Sequence, residues 1–242
     1  MYKLSKNEVN FIQSLCHKKH RQTEGLFIAE GVKLVEEIIQ SHFKLKKIYA
    51  TSKWAATNTH LGDVLCIISE DDLHRISSLQ TSHQVLALVE QPTAQTVLPF
   101  AQKQSLVLDG IQDPGNFGTI IRIADWFGIH QIICSHTTVE LYNPKVIQST
   151  MGSFIRVPVS YGNLTELLKN VSIPIYGALL SGENIYKIPK PTEGILVIGS
   201  EGKGIGAELL PLITNPVTIP RIGGAESLNA AVATGILLSH LV

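Results

Sequence analysis

Apolar residues follow two rhythms along this chain. Unbroken runs such as Val85-Leu-Ala-Leu-Val89, Leu106-Val-Leu108 and Ile195-Leu-Val-Ile198 suit strands buried on both faces, while stretches with apolar positions three and four apart suit helices packed on those strands. The spacing of Val9, Phe11, Ile12 and Leu15 predicts a helix over residues 5–15, and residues 32–40 and 70–79 repeat the pattern. Strands are predicted at 26–29, 46–50, 64–68 and 85–89, and the polar, basic stretch His17-Lys-Lys-His-Arg-Gln-Thr-Glu-Gly25 reads as a loop. Further on, strands are predicted at 105–109, 131–134, 155–159, 173–180, 194–198 and 217–219. Helices are predicted at 117–127, 144–150 and 164–170 and from about Gly206 and Leu228 onward.

Between the two series lies a stretch with Pro92, Pro99 and polar filler, the composition of a linker. The division this suggests is a small α/β domain over residues 1–92, a linker over 93–103, and a second domain over 104–242. In that second domain, apolar strands alternating with helices predict a mainly parallel sheet flanked by helices.

Composition narrows the class. A chain of 242 residues with 44% apolar content can bury a core, and no run of about 18 apolar residues suggests a membrane span. The N-terminus lacks the charged, apolar and small-residue pattern of a signal peptide, so cytoplasm is the expected location. Cys16, Cys66 and Cys134 are scattered and odd in number, which excludes a disulfide framework, and the nine histidines form no HxxxH or HxH pair. No metal site is expected. Basic and acidic residues balance at 20 each, but residues 1–50 hold nine basic against five acidic ones, so this end suits either a phosphate-facing patch or a solvated helix face.

The suspicious polar residues gather at three strand-to-helix turns. They are Asn116-Phe-Gly-Thr-Ile-Ile-Arg122, the loop Gly199-Ser-Glu-Gly-Lys-Gly204, and Ile219-Pro-Arg-Ile-Gly-Gly-Ala-Glu-Ser-Leu-Asn229. In a parallel sheet such turns share the edge outside the carboxyl ends of the strands, where ligands bind. The 199–204 loop is not GxGxxG in register and lacks the Gly-Lys-Ser/Thr ending of a phosphate loop, and Glu201 would repel a pyrophosphate. A ligand of positive or mixed charge fits better. Asn116 and Ser227 could also be plain helix caps.

In this order and spacing the three segments resemble the motifs of the SpoU/TrmH family of RNA ribose 2′-O-methyltransferases, part of the SPOUT superfamily. Arg21-Gln-Thr-Glu-Gly-Leu-Phe-Ile-Ala-Glu-Gly31 is similar to the opening of the L30e-like substrate-binding domain that many members carry. The resemblance implies a C-terminal trefoil knot, S-adenosylmethionine as cofactor, RNA as substrate with ribosomal RNA favoured over transfer RNA, and a homodimer. Gly199, Ile219 and Leu228 match positions that hold the cofactor through their backbone groups. Arg122 matches the family's essential arginine, and either a phosphate-anchoring role or transient proton transfer is open to it. By the same resemblance Asn116 and Asn229 would position the ribose, Arg122 and the cofactor. Glu201 and Ser227 match further functional positions, with Glu201 expected to hold Arg122 or nearby backbone.

Two residues depart from the family pattern: Arg221 where methionine is common, and Thr150 where serine is usual. Neither removes a reacting group. Lys18, Lys19 and Arg21 are the candidate RNA-phosphate contacts of the first domain. A noncatalytic RNA-binding protein with a relic methyltransferase domain is the alternative, and so is a nucleotide-dependent α/β enzyme, which the loop sequences disfavour.

Overall fold

The computed structural model describes residues 2–79, 81, 83–93 and 96–242. Ala94 and Gln95, within the expected linker, lie outside the described residues. In chain order the elements are α1 (Lys6–Ser14), α2 (Lys18–Glu24), β1 (Leu26–Glu30), α3 (Val32–Ile39), β2 (Leu45–Ala50), α4 (Ser52–Ala55), β3 (Leu65–Ile67), α5 (Glu70–Ile76) and β4 (Val85–Glu90). There follow β5 (Gln104–Asp109), α6 (Pro114–Trp126), β6 (Ile132–Cys134), α7 (Pro144–Thr150), β7 (Val159–Tyr161) and α8 (Leu164–Leu168). The chain ends with β8 (Ile175–Asn184), β9 (Gly194–Gly199), β10 (Asn215–Thr218) and α9 (Ala230–Leu241). None of the helices among the described residues is long and apolar enough to cross a membrane.

Two compact units result. One is Met1–Thr93 together with Glu140–Ile155; the other is Ala94–Val139 together with Arg156–Val242. The stretch 140–155, which the sequence reading assigned to the second domain, therefore packs with the first. Its side chains explain why. The Tyr142 ring stacks on Phe27 at 4.7 Å, Phe154 meets Phe27 and Phe43 edge-on, and Glu140 takes the guanidinium of Arg21. Rings of this size bury large apolar areas, and an ion pair in such a place is worth most when well hydrogen-bonded.

The first unit carries a four-stranded sheet in the order β1-β4-β2-β3, antiparallel except for the β2–β3 pair. Every residue of β1 is buried. The stretch expected as a loop before it is helix α2, closed by Gly25 in the left-handed conformation. Periodicity missed this helix because its only buried side chain is an arginine, Arg21.

The second unit carries six parallel strands in the order β10-β8-β9-β5-β6-β7. β9 is apolar along its whole length and β5 through its middle, Leu106 to Leu108, and both are buried except at their ends, as central strands covered on both faces require. Four expectations are corrected here. The strand expected at 155–159 lies instead at Val159–Tyr161, where Ile132 and Cys134 of β6 pair with it. β8 runs four residues beyond the expected end at 180, because its polar distal half pairs with β10 through a register shift. The helix expected from Gly206 is reduced to a single 3-10 turn at Leu210–Leu212, with Pro211 inside it. The last helix starts at Ala230 rather than Leu228.

Candidate active site

The strand order reverses direction around β5. From β5 the chain builds outward through β6 and β7, then returns to lay β9 and β8 on the other side. The crevice outside the carboxyl ends of β5 and β9 is thus a topological switch point, the place where open parallel sheets bind ligands.

Three segments meet there. After β5, Asp113 caps α6 by accepting the Asn116 N–H at 2.7 Å, with Pro114 in the first turn. Asn116 is therefore not the cap, and its side chain is free to face outward from the helix start. After β9, Ser200 and Gly204 exchange backbone hydrogen bonds of 3.1 and 2.9 Å and pinch the loop shut. Gly204 holds φ +67°, and a side chain on Gly199 would collide with the Gly204 backbone, so both positions need glycine. Before α9, Asn229 caps the helix, its Oδ1 accepting from Ala231 and Val232 at 3.0 and 3.2 Å. Ser227 is not the cap.

These three segments are joined by one chain of side-chain hydrogen bonds. Asn229 Nδ2 donates to Asn116 Oδ1 at 2.8 Å, and Asn116 Nδ2 donates to Glu201 Oε1 at 2.6 Å. A carboxylate acceptor strengthens the second bond. Asn229 thus has two duties: its oxygen starts α9 while its nitrogen reaches into the site.

Arg122 is exposed and makes no hydrogen bond or ion pair among the described residues. Glu201, expected to hold Arg122 or nearby backbone, takes neither among the described residues, and its carboxylate accepts from the Asn116 side chain. Ser227 likewise has no partner among the described residues. Gly199 ends β9, Ile219 lies just past β10 and Leu228 just before α9, and between Ile222 and Leu228 the main chain donates no hydrogen bond among the described residues. Arg221 folds over that segment, its guanidinium donating to the Ala225 carbonyl at 3.1 Å.

Sequence reasoning missed Asp109. Its carboxylate, at the end of β5, accepts the Gly206 N–H at 2.8 Å and pins the far side of the glycine loop. An acidic residue closing an apolar central strand was the available signal. Arg21 is a correction of the opposite kind. It is 1% exposed, donates Nη2 and Nε to Glu140 at 2.5 and 3.3 Å and Nη1 to the Leu15 carbonyl at 2.8 Å, and is therefore enclosed rather than offered to a phosphate. Lys18 and Lys19 on the same helix are exposed.

A parallel sheet with a glycine loop and a carboxylate–amide chain at its switch point, and with free main-chain donors beside it, makes a binding site for a ligand of mixed charge. Comparison with known proteins sharpens this: residues 103–239 match the model of the SpoU rRNA Methylase family, and residues 6–87 that of the MRM3-like substrate binding domain. The chain belongs to the SpoU rRNA methylase family. It is 33% identical to the Bacillus subtilis protein named 23S rRNA (guanosine(2553)-2′-O)-methyltransferase RlmP, over 95% of this chain and 93% of that one. Among solved structures, a putative RNA methyltransferase of the TrmH family from Porphyromonas gingivalis aligns with a TM-score of 0.88 at 37% identity, covering 99% of this chain and 98% of that one. An AdoMet-bound rRNA methyltransferase from Sinorhizobium meliloti also reaches 0.88, at 28% identity, covering 100% and 96%.

Proposed function

We propose that this chain transfers a methyl group from S-adenosylmethionine to a ribose 2′-hydroxyl of RNA, with ribosomal RNA as the substrate class and the cytoplasm as the place of action. The observation that carries the reading is the hydrogen-bonded chain Asn229–Asn116–Glu201, which ties together three segments distant in sequence at the switch point of the sheet.

The residues fit the cofactor. The main chain of residues 222–228, whose N–H groups are unengaged among the described residues, and the pinched Gly199 loop offer donors and acceptors to an adenine edge and a ribose, and Ile219 and Leu228 offer apolar contact to a flat base. When bound, S-adenosylmethionine supplies an electrophilic methyl on a sulfonium. The protein's part is to hold the ribose hydroxyl in line with it, because such a displacement gains most from proximity and alignment.

Asn116 and Asn229 hold the ribose side of that arrangement, with Glu201 fixing the orientation of the Asn116 amide. Arg122 anchors the phosphate next to the target ribose, a role to which its planar, doubly donating head is suited. Ser227, two residues before the cap, is positioned to hydrogen-bond the ribose or the cofactor.

A second copy of the chain completes the site. Arg122 stands apart from the hydrogen-bonded chain, and exposed apolar side chains share its surroundings: Trp126, four residues on and 85% exposed, together with Leu228 and Val232 on the α9 side. α6 packs against α9, where Gly235 lies close to Ile123, so these residues form one surface suited to a homodimer. The C-terminal segment is threaded through a preceding loop as a trefoil knot, a reading supported by the family match and by the packing of α9 on α6. An experimental chain trace with 215–242 passing outside the preceding loops would remove the knot.

The deciding experiment is methyl transfer from labelled S-adenosylmethionine to total RNA from cells lacking the protein, with the label mapped. One 2′-O-methylated nucleotide is expected. Absence of transfer together with absence of cofactor binding by calorimetry would favour the noncatalytic RNA-binding alternative.

A further inference from the structure

The methyl-transfer reading leaves the carboxylate of Asp109 without a task. Asp109 ends β5, where it pairs in register with Gly199, the last residue of β9. Its Oδ2 accepts the Gly206 N–H at 2.8 Å. The bond therefore spans the glycine loop, from beside the residue where the loop leaves the sheet to the leg that returns to the core at the buried Ile205.

Two features aim this carboxylate. The Thr138 hydroxyl straddles the residue, accepting the Gly110 N–H at 3.2 Å and donating to the Leu108 carbonyl at 3.2 Å, and the Ser135 hydroxyl accepts the same Gly110 N–H at 2.9 Å. The backbone on either side of Asp109 is thus held, with Gly110 at φ +75°, a conformation suited to glycine. At the far end Gly206 has no side chain, and a Cβ there would stand 3.0 Å from the Asp109 carboxylate oxygen and 2.9 Å from each carboxylate oxygen of Glu208. Glycine lets the acid reach the backbone.

We propose that Asp109 is a positioning residue for methyl transfer, setting the place of Glu201 and through it the amide of Asn116; the inference rests on the methyltransferase reading. Three ties fix the loop: the Asp109–Gly199 register at its base, the Ser200–Gly204 pair at its neck and the Asp109–Gly206 bond on its returning leg. The tip projects beyond these ties and carries Glu201, whose Oε1 accepts from the Asn116 Nδ2 at 2.6 Å. Burial of Ile205 holds the returning leg down but sets no direction, because apolar burial is non-directional. The directional tie is the hydrogen bond, and a charged acceptor makes it strong. Without it the loop keeps its attachment and loses its setting, and the Asn116 amide turns from the ribose it holds. Cofactor contacts are spared, since Gly199 remains paired in β9 and Asp109 makes no hydrogen bond to residues 222–228 among the described residues.

The test compares Asp109→Ala, Asp109→Asn and Glu201→Ala with the native full chain by kcat on the mapped RNA, by S-adenosylmethionine calorimetry and by the Asn116 side-chain amide signal in ¹⁵N NMR, assigned with Asn116→Asp. Asp109→Ala is expected to lower kcat about tenfold while cofactor affinity stays within about twofold of native. It should also move the Asn116 signal toward its place in Glu201→Ala. Asp109→Asn, which keeps an oxygen for Gly206, should recover most of the loss. Combining Asp109→Ala with Glu201→Ala should cost no more than Glu201→Ala alone, because residues that act through one another do not add. Multiplied losses in the double variant, native kcat or an unmoved Asn116 signal in Asp109→Ala, an asparagine variant no better than alanine, or a cofactor affinity that falls as far as kcat would each overturn the proposal. If Asp109→Ala fails to fold, Asp109→Ser, too short to reach Gly206, carries the same measurements. A native chain that neither transfers methyl nor binds S-adenosylmethionine overturns the methyltransferase reading and this role together, whereas the outcomes above in an active native chain overturn this role alone.

Discussion

Arg21 is enclosed and paired with Glu140, whereas Arg122 stands exposed without a partner among the described residues. The difference sets opposite outcomes for the same substitution. Glu140→Ala leaves a buried guanidinium uncompensated and is expected to cost about 3–5 kcal/mol, read as a lower urea midpoint, because removing one partner of an enclosed pair strands the other. Arg122→Ala should leave the urea midpoint unchanged and abolish methyl transfer. Arg122→Lys should recover little, because an ammonium cannot offer two parallel donors to a phosphate. Unimpaired transfer by the alanine variant on mapped RNA would refute the role given to Arg122. Glu201→Ala removes a charge-assisted hydrogen bond of the kind worth about 1.5–3 kcal/mol, so a tenfold or greater loss in kcat/KM is expected on kinetic assay. Sequence alone singled out Asn116, Glu201 and Asn229 but could not show that they touch. Their separations of 85 and 113 residues are closed by the sheet, and no local pattern encodes that. Arg21 misled for a related reason: its charge was visible and its burial was not.

At the scale of elements, α9 offers a way to separate folding from function. Asn229→Asp keeps the oxygen that accepts from Ala231 and Val232 and adds a charge favourable at a helix start, but it removes the Nδ2 donor to Asn116. Thermal stability should hold or rise slightly while methyl transfer falls. A fall in both would mean that the hydrogen bond to Asn116 serves the helix and not the site. For α2, Lys18 and Lys19 remain the candidate phosphate partners once Arg21 is set aside. Replacing both with alanine should lower the slope of log affinity against log salt by about 2, one for each phosphate that no longer meets a cation. An unchanged slope would place the RNA elsewhere. At the other end of the unit, α1 begins with a capping box in which Ser5 and Glu8 satisfy each other's backbone donors. Burial pushes the Glu8 carboxyl up, but hydrogen bonds from the Ser5 backbone, Tyr2 and Ser5 and the Lys47 charge hold it below its ordinary value. Its stabilising effect is therefore present above the ordinary carboxylate range and lost as pH falls through the lowered folded-state value. The central strands were the most legible elements because continuous apolar runs such as residues 195–198 suit a strand covered on both faces. Helix α2 and the distal half of β8 were illegible for the converse reason: their polar residues carry no period to detect.

For the whole molecule, a single Asp at Val232 tests the assembly. Val232→Asp puts a charge on the apolar surface that α6 and α9 share, and sedimentation should show a dimer for the native chain and a monomer for the variant. A native monomer that still methylates RNA would refute the shared site. A fragment ending at Thr93 would lack Glu140, Tyr142 and Phe154, the partners of Arg21 and Phe27, and is expected to melt without a cooperative transition by circular dichroism. The boundary read from the prolines cannot anticipate this, since a linker signature marks where a chain leaves a unit and says nothing of where it comes back.

That return has a consequence for how the molecule breaks. The chain passes between the units three times, after Thr93, after Val139 and after Ile155. A protease that nicks only the proline-bearing stretch severs residues 1–93 from the rest of the chain, and they then stay attached only through their packing on residues 140–155. Exchanging the first unit for another would likewise require replacing two separate stretches of gene, not one.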